Sequence, residues 1–168
     1  AEKCERLLLN KDEYNTPMSE DYLIHMIETG RVDSMKELYD KLEIIEVPDE
    51  KTPDGASALL EEQIKEKEGA KILRHLREDA YIYTLEIRGK ELDSEKFAHQ
   101  IEKQAVGGVS HIQFVIGGSL GLAPGVSRAA DEAISFSKMT FPHQLMRVIL
   151  LEQIYRGYRI ISGEPYHK

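Results

Sequence analysis

Residues 134–144 form a short stretch of apolar and polar side chains that can contact a small ligand. They include hydroxyls, an ammonium group and a thioether, at Ser135, Ser137, Lys138, Met139 and Thr140. Hydroxyls and an ammonium group can bind the polar atoms of a ligand, and ligand sites combine a few such groups with apolar ones. Pro142 follows, and proline suits the start of a helix. The same composition fits an ordinary connection between a strand and a helix, so composition alone leaves both interpretations open.

A second candidate is the glycine-rich segment 115–122, which follows a β-rich run. In open α/β sheets, ligands bind beyond the carboxyl ends of the strands, and glycine lets the backbone approach a ligand closely. A dinucleotide fingerprint would need G-x-G-x-x-G opening a helix, and a phosphate loop would need Lys before Ser or Thr after its last glycine. The segment has neither. A glycine pair after a strand is also an ordinary turn.

The last predicted helix, about residues 143–161, places a cation among apolar side chains. At 100° per residue, Leu151, Ile154 and Tyr158 lie around Arg147, in the middle of the apolar face. A buried arginine is costly without a partner, so we expect Arg147 to meet a carboxylate, a ligand or another subunit. Apolar residues also interrupt the polar face, and burial on two sides predicts a homodimer interface.

The end of the chain is basic and carries an aromatic side chain and a histidine, Tyr166 and His167. Residues 136–168 hold 5 basic and 2 acidic side chains, whereas residues 1–65 hold 8 basic and 17 acidic ones. We therefore expect an anionic partner, such as RNA, to meet the last thirty or so residues, where an aromatic ring can stack on a base. A simple polar tail and a chance fluctuation of charge are the alternatives.

An α/β framework is predicted to position these groups. The pattern predicts strands at 42–47, 81–87 and 112–116 and helices at 57–77, 93–104 and 143–161, with Asp93 as an N-cap. Strands alternating with helices at this spacing indicate an α/β domain with a mainly parallel sheet. Residues 1–42 instead have helical spacing, so we divide the chain into an atypical N-terminal segment, 1–42, and a domain at 43–168.

Composition narrows the class of protein. Of 168 residues, 41% are apolar and 31% charged, as in an ordinary globular domain. The longest apolar run, Val148 to Leu151, is far too short to cross a bilayer. The single cysteine, Cys4, excludes an intrachain disulfide framework and a zinc site built on several thiolates. We therefore expect a cytoplasmic protein with no membrane partner and no metal.

Several segments, taken together, closely resemble the RlmH family, which consists of pseudouridine N3-methyltransferases of large-subunit ribosomal RNA in the SPOUT superfamily. The segments are Ile44–Lys51, Thr84–Ile87, Phe114–Gly118, Ser135–Gln144, Arg147-Val148 and Gly163–Lys168. They occur in order across residues 42–168, about three quarters of the chain. Several long motifs in one order make the resemblance specific.

The resemblance implies a sheet whose C-terminal part passes through a loop to form a deep trefoil knot, which packing rules alone would not propose. It also implies S-adenosylmethionine as the cofactor. On this sequence, Leu85 would line the pocket at the end of its strand, and Gly117 would lie against the cofactor. The loop Phe136–Phe141 would wrap the adenine and methionine parts. A valine at Gly117 is therefore expected to abolish cofactor binding and spare folding.

The resemblance further implies a homodimer that methylates N3 of a pseudouridine in 23S ribosomal RNA of the assembled ribosome. Catalysis would consist mostly of positioning, and the N3 proton would need an acceptor. We assign the catalytic roles to Arg147, Tyr166 and His167. His167 would accept the proton, Arg147 or Arg156 would stabilise negative charge, and Tyr166 would orient the base.

The first 41 residues do not resemble the strand and turn with which the family usually begins. They are a divergent, replaced or engineered front end, or a local misreading of the sequence, and the cofactor motifs do not depend on them. The competing hypothesis is a non-catalytic RNA- or ribosome-binding module, or an engineered protein, that keeps the knotted fold.

Overall fold

The computed structural model describes residues 42–163, which form a three-stranded sheet with helices on both faces. The elements are α1 (Ala58–Leu73), β1 (Ala80–Glu91), α2 (Ser94–Val106), β2 (His111–Ile116), α3 (Pro124–Ala129), β3 (Glu132–Ser135) and α4 (His143–Ile161). The predicted helical segment at 1–42 lies outside the described residues except for its last residue, and so do Tyr166 and His167. Among residues 42–163, every helix is too short or too polar to cross a membrane.

Side-chain caps determine where two of the helices begin. At the start of α1, Ser57 Oγ accepts a hydrogen bond from the Leu60 amide at 3.3 Å. At the start of α2, Asp93 Oδ1 accepts one from the Lys96 amide at 2.8 Å, so the predicted N-cap is confirmed. Each cap satisfies a backbone donor that has no partner inside its helix.

Two strand predictions are confirmed and a third is wrong. The runs at 81–87 and 112–116 lie in β1 and β2. Residues 42–47 form no strand: Ile44 and Val47 are buried in the two separate cores, so the apolar residues anchor an irregular segment. The sequence pattern did not predict α3 and β3, because elements of six and four residues are too short to show a clear period.

The central strand, β1, is parallel to both of its neighbours, in the order β2-β1-β3. This confirms the predicted parallel sheet. Within the register, Leu85 is aligned with Ile116 of β2 and with Ile134 of β3. Parallel strands need long crossover connections. α2 lies in the connection from β1 to β2, and α3 in the connection from β2 to β3.

Two apolar cores cover the sheet, one on each face. The core against α2 and α4 is built around Tyr83, Phe97, Ile134 and Leu150. The core against α1 and α3 is built around Ile72, Ile82, Val115 and Val126. Successive residues of a strand point to opposite faces, which is why neighbouring residues of β1 belong to different cores. Burial on both faces is typical of parallel sheets.

The second half of β1 passes against the backbone of β3. Ile134 pairs with Leu85 and again with Lys90, and the register shifts between these two positions. A Cβ atom on Gly89 would lie 2.5 Å from the carbonyl carbon of Ile134 and 2.7 Å from its oxygen. This approach therefore requires glycine, because a side chain would have to displace backbone.

We expect Gly89→Ala to lower the free energy of unfolding by about 3 kcal/mol, the upper part of the usual range for overpacked sites. Gly125→Ala is the matched control: its Cβ would meet only Leu73 Cδ1, at 3.7 Å, and alanine favours the helix. Urea unfolding followed by circular dichroism measures both. Equal stabilities of the two variants would contradict the close approach at Gly89.

A second prediction concerns Tyr83, which is 1% exposed and hydrogen-bonds the Gln100 side chain at 3.1 Å. Burial raises the pKa of Tyr83 to about 12 from 10.0. Its contribution to stability is therefore complete below pH 10 and lost as the pH rises towards 12. We expect Tyr83→Phe to reduce the fall in the free energy of unfolding over this range.

The control for this prediction is Tyr158→Phe, because the side chain of Tyr158 is 43% exposed. Part of the fall in the free energy of unfolding with pH should remain in the Tyr83→Phe variant, because burial also raises the pKa of Tyr81. Urea unfolding at several pH values measures the slope in all three proteins. If Tyr83→Phe and Tyr158→Phe show the same slope as the parent chain, burial of Tyr83 does not control its ionisation.

Candidate functional site

Three of the predicted site segments meet at one edge of the sheet. Because Leu85 is aligned with Ile116 and Ile134, β2 and β3 end beside it, while β1 continues to Glu91. Gly117 follows directly on β2, and Phe136 follows directly on β3. The carboxyl edge of a parallel sheet is where α/β proteins bind ligands. The register therefore gathers Leu85, Gly117 and the loop 136–141 into one candidate site.

The loop after β2 folds back on its own first residue. The Gly121 amide donates a hydrogen bond to the Gly118 carbonyl at 2.9 Å, and Gly121 has a φ of +80°. A Cβ on Gly117 would lie 2.9 Å from the carbonyl carbon of Gly121 and 3.0 Å from the Leu122 amide nitrogen. Any side chain at Gly117 would therefore have to displace the loop itself, and the expectation that a valine there spares folding stays a prediction.

The loop after β3 is held by two serine hydroxyls. Ser135 Oγ donates to the Ser137 carbonyl at 2.9 Å, and Ser137 Oγ accepts a hydrogen bond from the Met139 amide at 2.9 Å. The Phe136 ring packs edge-on against Phe97, with centroids 5.6 Å apart. Ser137 thus shapes the backbone, while Phe136 ties the loop to the core on the α2 and α4 side.

The remaining side chains of this loop point towards its surface. Met139 is 70% exposed, Thr140 is exposed and Phe141 is half-buried. Lys138 is also exposed, and its Nζ lies 3.5 Å from Oε1 of Glu91. These side chains are therefore free of the core, and Met139 in particular leaves apolar surface beside the strand edge. Their assignment to a ligand remains a prediction.

Two buried oxygens flank Leu85, and neither was predicted from the sequence. Thr84 Oγ1 and Glu86 Oε1 have no hydrogen-bond partner within the part of the chain that the structure describes. Thr84 is fully buried and Glu86 is half-buried. The sequence signal was the presence of Thr84 and Glu86 in a run, residues 80–87, that is otherwise apolar or aromatic. Buried polar atoms without partners are rare and call for an explanation such as a ligand.

Arg147 lies on the side of α4 that carries its buried residues. These are Leu150, Ile154, Tyr155 and Gly157, at about −60°, −20°, +80° and −80° from Arg147 at 100° per residue, so they flank it on both sides. Arg147 itself is half-buried. Of the other residues around it, Leu151 is half-buried and Tyr158 is exposed.

Farther along α4, a polar network holds Arg156. Its Nε donates to Oε1 of Glu152 at 2.9 Å. Gln153 Nε2 donates to the other oxygen of Glu152 at 2.6 Å, and Ser94 Oγ of α2 donates to Gln153 at 2.7 Å. Glu152 therefore orients the guanidinium and is linked to the next helix. Glu152 was not among the predicted residues, although its spacing of four from Arg156 is a recognised ion-pair signal.

Among residues 42–163, no group of three or more His, Cys, Asp or Glu side chains is arranged to hold a metal ion. The predicted catalytic residues Tyr166 and His167 follow the last described residue, Gly163, so their position relative to the strand edge stays a prediction.

Comparison with known proteins gives a family and several relatives. A family model described as a predicted SPOUT methyltransferase matches residues 10–167. "Ribosomal RNA large subunit methyltransferase H" of Bifidobacterium adolescentis is 62% identical over 130 residues, which cover 77% of this chain and 82% of that protein. The protein named "Putative ribosomal RNA large subunit methyltransferase H" of Methanococcus maripaludis is 59% identical over 130 residues, with the same two coverages.

A further relative, from Bifidobacterium animalis subsp. lactis, carries the first of these names and is 62% identical over 128 residues, covering 76% of this chain and 80% of that protein. The family match begins at residue 10, ahead of residue 42 where the motifs begin. It therefore reaches into the N-terminal segment that the motifs left unassigned. The chain belongs to the SPOUT methyltransferase family, as the resemblance of its motifs to RlmH predicted.

Proposed function

We propose that this chain transfers a methyl group from S-adenosylmethionine to N3 of a pseudouridine in 23S ribosomal RNA of the assembled ribosome, in the cytoplasm. The observation that carries the proposal is the register at Leu85, which brings three predicted cofactor segments to one sheet edge. The names of relatives about 60% identical supply the substrate class and favour this over a non-catalytic or engineered protein. The particular base rests on the RlmH resemblance.

The residues at this edge fit S-adenosylmethionine. Backbone groups of the loops 117–122 and 136–141 can bind the edge of an adenine, and Met139 leaves apolar surface to cover it. The unpartnered oxygens of Thr84 and Glu86 can accept hydrogen bonds from its donor groups. The cofactor has no pyrophosphate, which agrees with a glycine-rich loop that lacks the dinucleotide fingerprint. When bound, it supplies an activated methyl group on a sulfonium centre.

The proposal includes the trefoil knot of the SPOUT fold. The close approach of Gly89 to the backbone of Ile134, where β3 pairs with β1 a second time, is compatible with this chain path. Knots are rare in other folds, where connections do not thread loops.

In this mechanism the protein mainly positions the base in line with the methyl group, because the departing thioether needs no proton. The loop 136–141 would exclude water from the reacting atoms. His167 would accept the N3 proton, and Tyr166 would stack on the base. Arg147 and Arg156 would stabilise the developing negative charge, with Arg156 held in place by Glu152.

Assembly as a homodimer through α4 is also part of the proposal. Leu145 and Tyr158 on this helix expose 47% and 43% of their surface, so apolar side chains remain uncovered on a helix that is otherwise packed against α2. A second copy would bury them. The excess of basic side chains in residues 136–168 would place the positively charged part of each subunit beside the RNA.

We expect removal of Tyr166 to Lys168 to separate binding from chemistry. Affinity for S-adenosylmethionine should stay nearly unchanged, because the loop 136–141 is intact. Methylation should fall on the order of 100-fold or more, since a misplaced positioning group costs about that much. Calorimetry measures the affinity, and methyl incorporation into ribosomes from cells lacking the protein measures the activity. Lys168→Ala is the control, and full activity of the truncated chain would contradict the catalytic role of the tail.

We expect Leu145→Asp to dissociate the dimer, because a charge in an apolar interface is costly to desolvate. The subunit itself should keep its circular dichroism spectrum, since Leu145 is exposed within one chain. Leu59→Asp on α1, at a leucine that is 66% exposed, is the matched control and should remain dimeric. Sedimentation velocity over a range of concentrations measures both. A parent chain that is monomeric at high micromolar concentration would contradict the proposed assembly.

A further inference from the structure

The carboxylate of Glu86, in the middle of β1, has no partner for one of its oxygens among the described residues. Its Oε1 is buried and has no hydrogen-bond partner among residues 42–163. Removing a carboxylate oxygen from water without giving it a partner is unfavourable, and more so for a charged group than for a neutral one. Such a side chain lowers the stability of the ligand-free protein. A ligand that donates a hydrogen bond to it would offset this loss of stability.

The cations around Glu86 do not pair with it. Arg88, two residues on in β1, is exposed and makes no ion pair with Glu86 within the described range. Lys90 Nζ lies 3.0 Å from Oε1 of Glu132, and Lys138 Nζ lies 3.5 Å from Oε1 of Glu91. Each of these lysines therefore neutralises another carboxylate, while Glu86 makes no ion pair within the described range. A positive charge brought from outside the chain would meet an unneutralised carboxylate here.

The position of Glu86 places this charge at the candidate site. It follows Leu85 directly, and alternation along the strand puts it on the same face as Ile82 and Thr84. Leu122, at the end of the glycine-rich loop, packs into the core that contains Ile82. The loop 117–122 therefore covers the face of β1 on which Glu86 lies, at the edge where the three site segments meet.

We infer that Glu86 recognises the positive charge of the methyl donor. S-adenosylmethionine carries two cationic groups, the sulfonium and the α-ammonium, and either can satisfy a carboxylate. A charge-assisted contact in a partly desolvated site is stronger than the same contact in water. The inference rests on the proposed function and adds a binding residue, Glu86, with its charge as the selective feature.

Calorimetry with three ligands tests the role of this charge. S-adenosylmethionine has both cationic groups, S-adenosylhomocysteine has only the ammonium, and 5′-deoxy-5′-methylthioadenosine has neither. Glu86→Gln keeps the shape of the side chain and removes its charge. We expect it to weaken S-adenosylmethionine binding about 10-fold or more, as for other hydrogen bonds to charged groups, and to leave the third ligand within about 2-fold.

The response to S-adenosylhomocysteine identifies the cation. An equal loss for the first two ligands assigns Glu86 to the ammonium, and a loss for S-adenosylmethionine alone assigns it to the sulfonium. An equal loss for all three ligands, or no loss, would overturn the inference. Failure of the parent chain to bind S-adenosylmethionine would instead overturn the proposed function, and this inference with it.

Thermal unfolding without ligand separates recognition from a structural role. If the Glu86 carboxylate lacks a partner, Glu86→Gln should unfold at the same temperature as the parent chain or higher. Glu78→Gln, at an exposed carboxylate preceding the start of β1, is the control for net charge and should change neither stability nor binding. A Glu86→Gln variant that unfolds at a lower temperature or fails to fold would show a structural role and contradict the inference.

Discussion

The parallel pairing of β1 with both of its neighbours is the constraint on which the functional edge depends. At Leu85 the register sets β1 beside Ile116 and Ile134, the places where β2 and β3 end or nearly end. A shift of one residue in either pairing would turn the neighbouring strand over and exchange its buried and exposed faces. The glycine-rich loop and the loop 136–141 are therefore positioned by backbone hydrogen bonds before any of their side chains acts.

A row of aromatic rings connects this edge to the core. The Tyr83 ring stacks on Phe114 at 5.2 Å, Phe114 contacts Phe97 at 5.8 Å, and Phe97 meets Phe136 edge-on at 5.6 Å. Aromatic pairs stabilise beyond the area they bury. The row joins β1, β2, α2 and the start of the loop 136–141, so the rigid part of the molecule extends to the first residue of that loop. Met139, three residues farther along the loop, is exposed and does not belong to this row.

The pairing of carboxylates with cations differs between the body of the domain and the candidate site. Glu132 and Glu152 are each paired with a cation, and the Glu152 network also links α4 to α2. Glu86 has no such partner among the described residues. A fold optimised only for stability would pair or remove this carboxylate, because unpartnered buried groups are costly. Its presence at the strand edge fits the general trade-off in which binding groups reduce the stability of the free protein.

Much of the framework could be predicted from local patterns. The helix and strand periods indicated β1, β2, α1, α2 and α4, and Asp93 marked the start of α2, because these signals depend on neighbours only a few residues apart. The order of the elements indicated a parallel sheet. Recognisable motifs supplied the family and the candidate segments at Leu85, Gly117 and 136–141. The sequence alone thus determined the class of the fold and the segments worth examining.

Only the tertiary structure decided which residues meet. The misassigned run at 42–47 has β-forming residues, yet it became irregular because its apolar side chains anchor in two different cores. The four-residue strand β3 exists because β1 pairs with it, and Gly117 is required by its own loop because Gly121 and Leu122 fold back upon it. The unpartnered Glu86 oxygen depends on burial by distant segments. Each of these outcomes is set by contacts between residues far apart in the chain, which no local pattern contains.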